Sequence, residues 1–448
     1  MSTQTERLFN RPFAQLFLIQ LLSMVTFYSL FVAISPYAVA TYHVSTATAG
    51  LVAGMTIIGT MIARIFSGLI THHLTAKQMT ILSMAILLPS LLAYQLELGI
   101  GYLLFVRFWQ GIAVGFTGTV TNTAVVRVIP EARRSEGIAY FSLATILGTA
   151  FGPFLALLIT QYVSYHILFW LEAVIALIAL FFSFMLDGDK IAIDRGHVDA
   201  KTSIFSQLLE PRVFPIALTM AFVALGYAAL QGDLAFFASS LHLVTFASYF
   251  FLVYAFVILL SRPFMGRLMD QHNENFVIYP TLLATALGLF AIARMHSGWG
   301  MLLGAVLVGL GFGNFQSAIQ ATVTKVVASD RLAQATSTYF IFFDMALGFG
   351  PYLLGLVVPT LGYRGLFTMV ALFAIIGLPL YYLVHGPTFK NKQYKNPPFN
   401  SNSGFSYCLL FNQTVLHKIS SGDLGRLLVL HRNLIIHFNH ILVGNLTR

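Results

Sequence analysis

Twelve runs of mostly apolar residues follow one another through residues 13–385 with only short polar breaks between them. A helix needs about 20 such residues to cross the hydrocarbon core of a bilayer. The runs lie near 13–35, 46–70, 78–95, 99–124, 136–160 and 165–186, then near 212–236, 246–268, 276–295, 299–325, 333–357 and 364–385. Charged residues make up 9% of the chain, against about 25% in soluble domains. That is too little charge to cover a water-soluble surface of this size, so the expected fold is all-α and embedded in the membrane.

The runs fall into two sets of six. Sliding the sequence on itself by 198 residues aligns Arg64 with Arg262, Gly111 with Gly309, Gly115 with Gly313, Arg133 with Arg331, Gly152 with Gly350 and Pro153 with Pro351. One offset serving several separate regions marks an internal duplication, a common feature of transporters. The expected organisation is a six-helix bundle over 1–186, a linker over 187–211, a second bundle over 212–385 and a loosely ordered tail over 386–448. The tail histidines 417, 431, 437 and 440 have no cysteine or carboxylate company, so no metal site is expected.

Lys and Arg are spread unequally over the gaps between runs. Thirteen (Arg7, Arg11, Lys77, Arg127, Arg133, Arg134, Lys190, Arg195, Lys201, Arg212, Arg267, Lys325 and Arg331) fall on one side and two, Arg294 and Arg364, on the other. Because cytoplasmic loops carry the excess of positive charge, both termini and the linker are expected in the cytoplasm and the chain in the cell membrane. The formal charge of +9 is then a topology signal, and no nucleic-acid partner is expected. Arg7 and Arg11 ahead of an apolar stretch, with Ala38-Val39-Ala40 after it, resemble a cleavable leader. The stretch is longer than a leader core, and its loss would remove one helix of a paired set, so it is read as the first span. The lone cysteine, Cys408, excludes an intrachain disulfide and a CxxC site.

Asp344, Glu172 and Asp233 are the carboxylates inside the predicted spans. Each charge at mid-membrane costs about 2.5–3.5 kcal/mol, so such a residue faces a polar cavity or a partner. A carboxyl group out of water favours its protonated form, which makes these three the candidate proton carriers. Arg107, within the fourth span, must find an anion, a carbonyl or water; it could tune a carboxylate, bind an anionic substrate or serve structure alone. Gly148 and Gly152, one turn apart before Pro153, allow close helix approach and then a bend. Gly350 and Pro351 repeat that pattern at the paired site, so the two helices read as matched gates.

These motifs together resemble the major facilitator superfamily, and within it the twelve-helix drug and metabolite proton antiporters; the likeness covers about residues 10–385. The segment Arg64–His73, read as the loop after the second span, stands at the position of that family's latch loop. His72 occupies the place of the family's aspartate, after Gly68, while the paired segment keeps Gly266, Arg267 and Asp270. The resemblance implies that Arg107 takes part in proton coupling and that the Gly148, Gly152, Pro153 motif belongs to an antiporter. It also implies a central cavity walled by the first, fourth, seventh and tenth helices, where the polar candidates are Gln20, Tyr28, Asn122, Tyr227, Gln231, Asn314, Gln316 and Gln320.

The expected function is secondary active transport, proton-driven efflux of a small organic solute by a monomer, with an uptake symporter of the same fold as the nearest rival and a non-transporting membrane sensor as the more distant one. No GxxxxGK[ST] loop and no HExxH set occurs, so neither ATP use, a cofactor nor enzymatic chemistry is expected.

Overall fold

The computed structural model describes residues 9–70, 74–130, 133–186, 209–271, 274–327 and 331–384. His72, Glu131, Ala132, the linker over 187–208 and the tail over 385–448 lie outside the described residues, as does the side chain of Asp270.

The first half contains α1 (Arg11–Tyr42), α2 (Thr46–Ile70), α3 (Ala76–Leu92), α4 (Ile100–Val128), α5 (Arg134–Tyr162) and α6 (Tyr165–Phe184). The second contains α7 (Phe214–Gly232), the short α8 (Leu234–Ser240), α9 (Val244–Gln271), α10 (Glu274–Ala293), α11 (Gly298–Val308), α12 (Asn314–Lys325) and α13 (Leu332–Val384). Eleven described helices are long and apolar enough to cross a membrane. The longest, α13, contains one non-helical residue, Gly362 at φ 64° and ψ 177°. Only glycine reaches that conformation without a steric cost, and the break divides α13 into two crossings, which brings the total to twelve.

Local chemistry sets where the helices begin and end. Asn10 caps α1 by accepting a hydrogen bond from the Phe13 N–H at 2.9 Å, and its amide donates to Val128 O at 3.0 Å, tying the start of α1 to the end of α4. Thr75 and Gln78 form a reciprocal capping box at the start of α3. Ser164 and Ser297 cap α6 and α11 through Ile167 N and Gly300 N. The chain turns at His43, Val163 and Leu241–Leu243, and at Gly362, all at one end of the bundle, here the far end. Phe9, Thr75, Ile129 and Glu210 lie at the opposite, terminus end.

Several boundaries differ from the sequence reading. The run ending at 35 continues through Pro36 to Tyr42, since neighbouring helices and local adjustments satisfy the group freed by a proline. Arg64 to Ile70 are helical within α2, so only residues 71–73 and Leu74–Thr75 are left to connect α2 and α3. The tenth crossing is not uniform: a π-helical turn, Gly309–Gly313, joins α11 to α12.

The duplication is visible in the packing. A Cβ on Gly111 would fall 2.0 Å from Thr56 O, and one on Gly309 would fall 2.9 Å from Tyr254 O; both pairs are related by the 198-residue offset. Glycine is required there because the α2–α4 and α9–α11 backbones nearly touch. The halves meet through α2 against α13 and α5 against α9. The closest approach is toward the far end. Thr46 donates to Gly355 O at 2.8 Å, Gln161 to Thr245 Oγ1 at 3.0 Å, and Phe154 packs on Tyr249 at 6.0 Å between centroids. A Cβ on Gly54 would sit 1.7 Å from Gly348 O. Toward the terminus end Asn122, Thr123 and Thr324 are exposed.

Candidate functional site

Below that contact, Arg64 of α2 reaches across to Asp344 of α13, and the two form a salt bridge between the halves. Asp344 is 5% exposed and the Arg64 side chain 40%. The guanidinium also lies 5.1 Å from the Phe340 ring centroid, a cation–π contact. The carboxylate is therefore buried and answered by a charge that stays partly wet.

Beside this pair an aromatic stack is built from α7, α9 and the π-turn. Tyr227 stacks on Phe312 at 4.6 Å and 15°, and on Tyr254 at 6.0 Å and 27°. Tyr28 of α1 lies against it from the other half, its hydroxyl next to that of Tyr227 and within electrostatic range of Arg64 and Asp344. Gln231 donates to the Tyr227 hydroxyl at 2.7 Å, which leaves its own buried carbonyl oxygen without a partner. A π-turn disturbs the regular backbone ladder and is frequent at functional sites. Here the Asn314 amide answers Leu310 O at 3.0 Å and Gly309 O at 3.4 Å, and also donates to Ser261 Oγ at 2.8 Å. The Asn314 Oδ1 is left unpaired.

The other sequence candidates are distributed around this centre. Gln20 accepts from Thr121 Oγ1 at 2.7 Å, an α1–α4 contact within the first half. Asn122 is exposed and donates to Gly118 O at 2.6 Å. Gln316 and Gln320 are half-buried on α12, with Gln316 O accepting from the Tyr339 hydroxyl at 3.1 Å. Glu172 of α6 is fully buried, and among the described residues neither carboxyl oxygen has a partner within ordinary hydrogen-bond geometry; the hydroxyl of Ser29 of α1 is its polar neighbour. Asp233, at the junction of α7 and α8, is 5% exposed with Oδ2 unpaired.

Arg107 is fully buried and, among the described residues, meets no carboxylate. It donates to Val52 O at 3.2 Å, Ala53 O at 3.3 Å and Gln110 Oε1 at 2.7 Å, with the Tyr94 hydroxyl at 3.5 Å. Of the readings open to it, this geometry satisfies the guanidinium with carbonyls and ties α4 to α2.

Of the matched glycine pairs, Gly148 and Gly152 accommodate α1, where a Cβ would come within 2.5 Å of Met24 Cβ and 2.8 Å of Val25 O. Gly350 accommodates α7, with Ala228 Cβ at 2.9 Å, and Pro351 lies against Gly50 of the other half. Pro153 is buried in α5. Gly266 and Arg267 are exposed near the terminus end of α9, and Gly68 is on the last turn of α2.

Sequence reasoning missed Arg64, Arg262, Tyr254 and Phe312 as site residues. A signal for the two arginines was present: both lie inside apolar runs, 198 residues apart. The sequence reading takes Arg64 as part of the loop after the second span, and Arg262, within the eighth run, only as its counterpart in the repeat.

Solved structures share this architecture. A bacterial homologue of the human lysosomal transporter Spinster, in an inward-facing and unoccupied conformation, superposes with a TM-score of 0.71 at 15% identity over 86% of this chain and 98% of that one. A transporter of the POT family in complex with a thioalcohol-conjugated peptide gives 0.72 at 15% over 85% and 97%. Among sequences, an uncharacterised MFS-type transporter of Methanocaldococcus jannaschii is 21% identical over 61% of this chain and 72% of its own length. A protein of Pasteurella multocida named probable sugar efflux transporter is 23% identical over 59% and 65%, and the staphylopine export protein of Staphylococcus aureus 20% over 73% and 84%. The profile described as Major Facilitator Superfamily matches twice, at residues 16–290 and 216–438. These matches cover most of the sequence, and the chain belongs to the major facilitator superfamily of membrane transporters.

Proposed function

We propose that this transporter exports a small organic solute in exchange for protons, rocking its two halves about the site between Arg64, Asp344 and the Tyr227 stack. The observation that carries the reading is the Arg64–Asp344 pair, a buried carboxylate held by a charge from the opposite half. When Asp344 is ionised the pair favours the conformation described here, with the halves packed at the far end. Protonation of Asp344 removes the attraction, and a proton shifts a conformational equilibrium by its differential affinity for the two states. One carboxyl group thereby links proton binding to the opening of the far end.

The terminus end faces the cytoplasm on this reading, because thirteen Lys and Arg against two fall on that side. The site then opens inward in the present conformation, in keeping with exposed Asn122, Thr123 and Thr324. Export is favoured by the Gly148, Gly152, Pro153 motif of α5 and by the efflux and export named for two relatives. Glu172 and Asp233 are further protonatable groups along α6 and at the α7–α8 junction, and Gly350 with Pro351 completes the gating surface of α13.

The test uses purified protein in sealed vesicles with a pH-sensitive dye inside. Organic solutes are screened for solute-evoked proton movement, and the Asp344→Asn variant is then compared with wild type. The variant should insert and purify normally yet show no coupled proton movement. Unchanged coupling would remove Asp344 from the mechanism.

A further inference from the structure

The duplication placed an arginine in both halves and a carboxylate in one. Arg64 of α2 pairs across the interface with Asp344 of α13. The same offset relates Arg64 to Arg262 of α9 and Asp344 to Ile146 of α5. The symmetric ion pair is therefore missing: where Arg262 should find a carboxylate, α5 offers an isoleucine. Among the described residues Arg262 has no acidic partner; its guanidinium donates to Ser317 Oγ of α12 at 2.8 Å.

A guanidinium at this depth cannot face hydrocarbon without a large cost, and Arg262 and Ser317 both remain half-buried rather than sealed. Their partial exposure is accounted for by a place on the wet space between the halves, the repeat counterpart of the place from which Arg64 reaches Asp344. Tyr254 lies two turns away on the same helix, within electrostatic range of Arg262, and continues into the stack with Tyr227 and Phe312. A planar, five-donor cation is suited to grip a carboxylate, and the adjoining rings are suited to a flat apolar body.

We propose that Arg262, held by Ser317 beside Tyr254, Tyr227 and Phe312, is the anion-binding residue of the central site, and that the transported solute is an organic anion carrying a carboxylate on a flat apolar body. This rests on the transport reading above and narrows its substrate class. The solute supplies the negative charge that Ile146 does not, so binding neutralises the charge left unpaired in the second half.

Three probes that share one ring and differ in charge test it: benzoate, benzamide and benzylamine, with binding measured by calorimetry on the purified full chain. Benzoate should bind, and the neutral and cationic analogues should bind at least about 10-fold more weakly, the scale of a lost charge-assisted hydrogen bond. Arg262→Gln should weaken benzoate by a similar factor and Arg262→Lys by less. Should Arg262→Gln fail to elute as folded protein, the charge series on wild type and the Arg262→Lys comparison decide. Benzamide or benzylamine binding as tightly as benzoate, no binding of any probe, or benzoate binding unchanged in Arg262→Gln would each overturn the proposal. Arg262-dependent benzoate binding without flux in vesicles would remove the transport reading and leave the anion site. Solute-coupled proton movement that is unaltered in Arg262→Gln would do the reverse.

Discussion

Gly54→Ala should loosen the far-end contact between the halves. A Cβ at residue 54 would lie 1.7 Å from the Gly348 carbonyl oxygen and 2.8 Å from its carbon, where ordinary contact begins at 3.4 Å. The obstructing atoms are backbone in the interior of α13, so no side chain can rotate aside and the helices must part by about 1.7 Å. Overpacking of this kind costs about 1–3 kcal/mol. Because the clash exists only where α2 and α13 are packed, that cost biases the equilibrium toward the state with the far end open, by roughly 5- to 150-fold. Ala47, buried against Gly355 at the same contact, is the reporter. In a background with the lone cysteine replaced (Cys408→Ser), Ala47→Cys should react with a membrane-impermeant maleimide faster when Gly54→Ala is added. Gly118→Ala is the matched control, since nothing lies within 4 Å of a Cβ there. Equal labelling with and without Gly54→Ala, or the same acceleration from Gly118→Ala, would refute the reasoning.

Arg107→Gln strips donors from Val52 O and Ala53 O in a fully buried position and should lower stability by about 1–3 kcal/mol, read as a lower melting temperature in detergent. Thr75→Ala removes the hydroxyl half of the α3 capping box and should cost about 0.5–2 kcal/mol in the same assay, with coupled flux retained. Truncation after residue 390 should leave transport unchanged; a truncated protein that inserts but carries nothing would show that the tail is needed.

The class of fold was legible because hydrocarbon imposes a length and a composition on every crossing. The run near residues 99–124 reads as a span whatever it packs against. The internal duplication was legible too, since residues such as Gly111 and Gly309 recur where two helix backbones nearly touch, a demand that no other side chain meets. Fine boundaries were less so. Pro36 looked like a stop and is not: α1 runs through it to Tyr42, as helices packed among others in a membrane tolerate a proline. The break between the last two crossings was legible, since Gly362 falls in the gap between the runs near 333–357 and 364–385; that this one residue carries it depends on how the chain turns at the far end.

The functional residues divide in the same way. Asp344 could be singled out from sequence because a carboxylate inside an apolar run needs a reason to be there. Its partner could not: Arg64 lies 280 residues away, and which of the arginines meets it depends on how α2 and α13 pack across the two halves. Arg107 shows the converse. Its charge drew attention, but whether it meets a carboxylate or backbone carbonyls was decided by α2 lying against α4. The sequence by itself determined the membrane, the number of crossings, the repeat and the positions of Asp344, Glu172, Asp233 and Arg107 within the runs, since each follows from local composition or self-similarity. Only the tertiary structure decided which charges are paired, that Arg262 has no acidic partner among the described residues, and that Tyr227, Tyr254 and Phe312 stack into one surface, because those facts arise where helices distant in sequence meet.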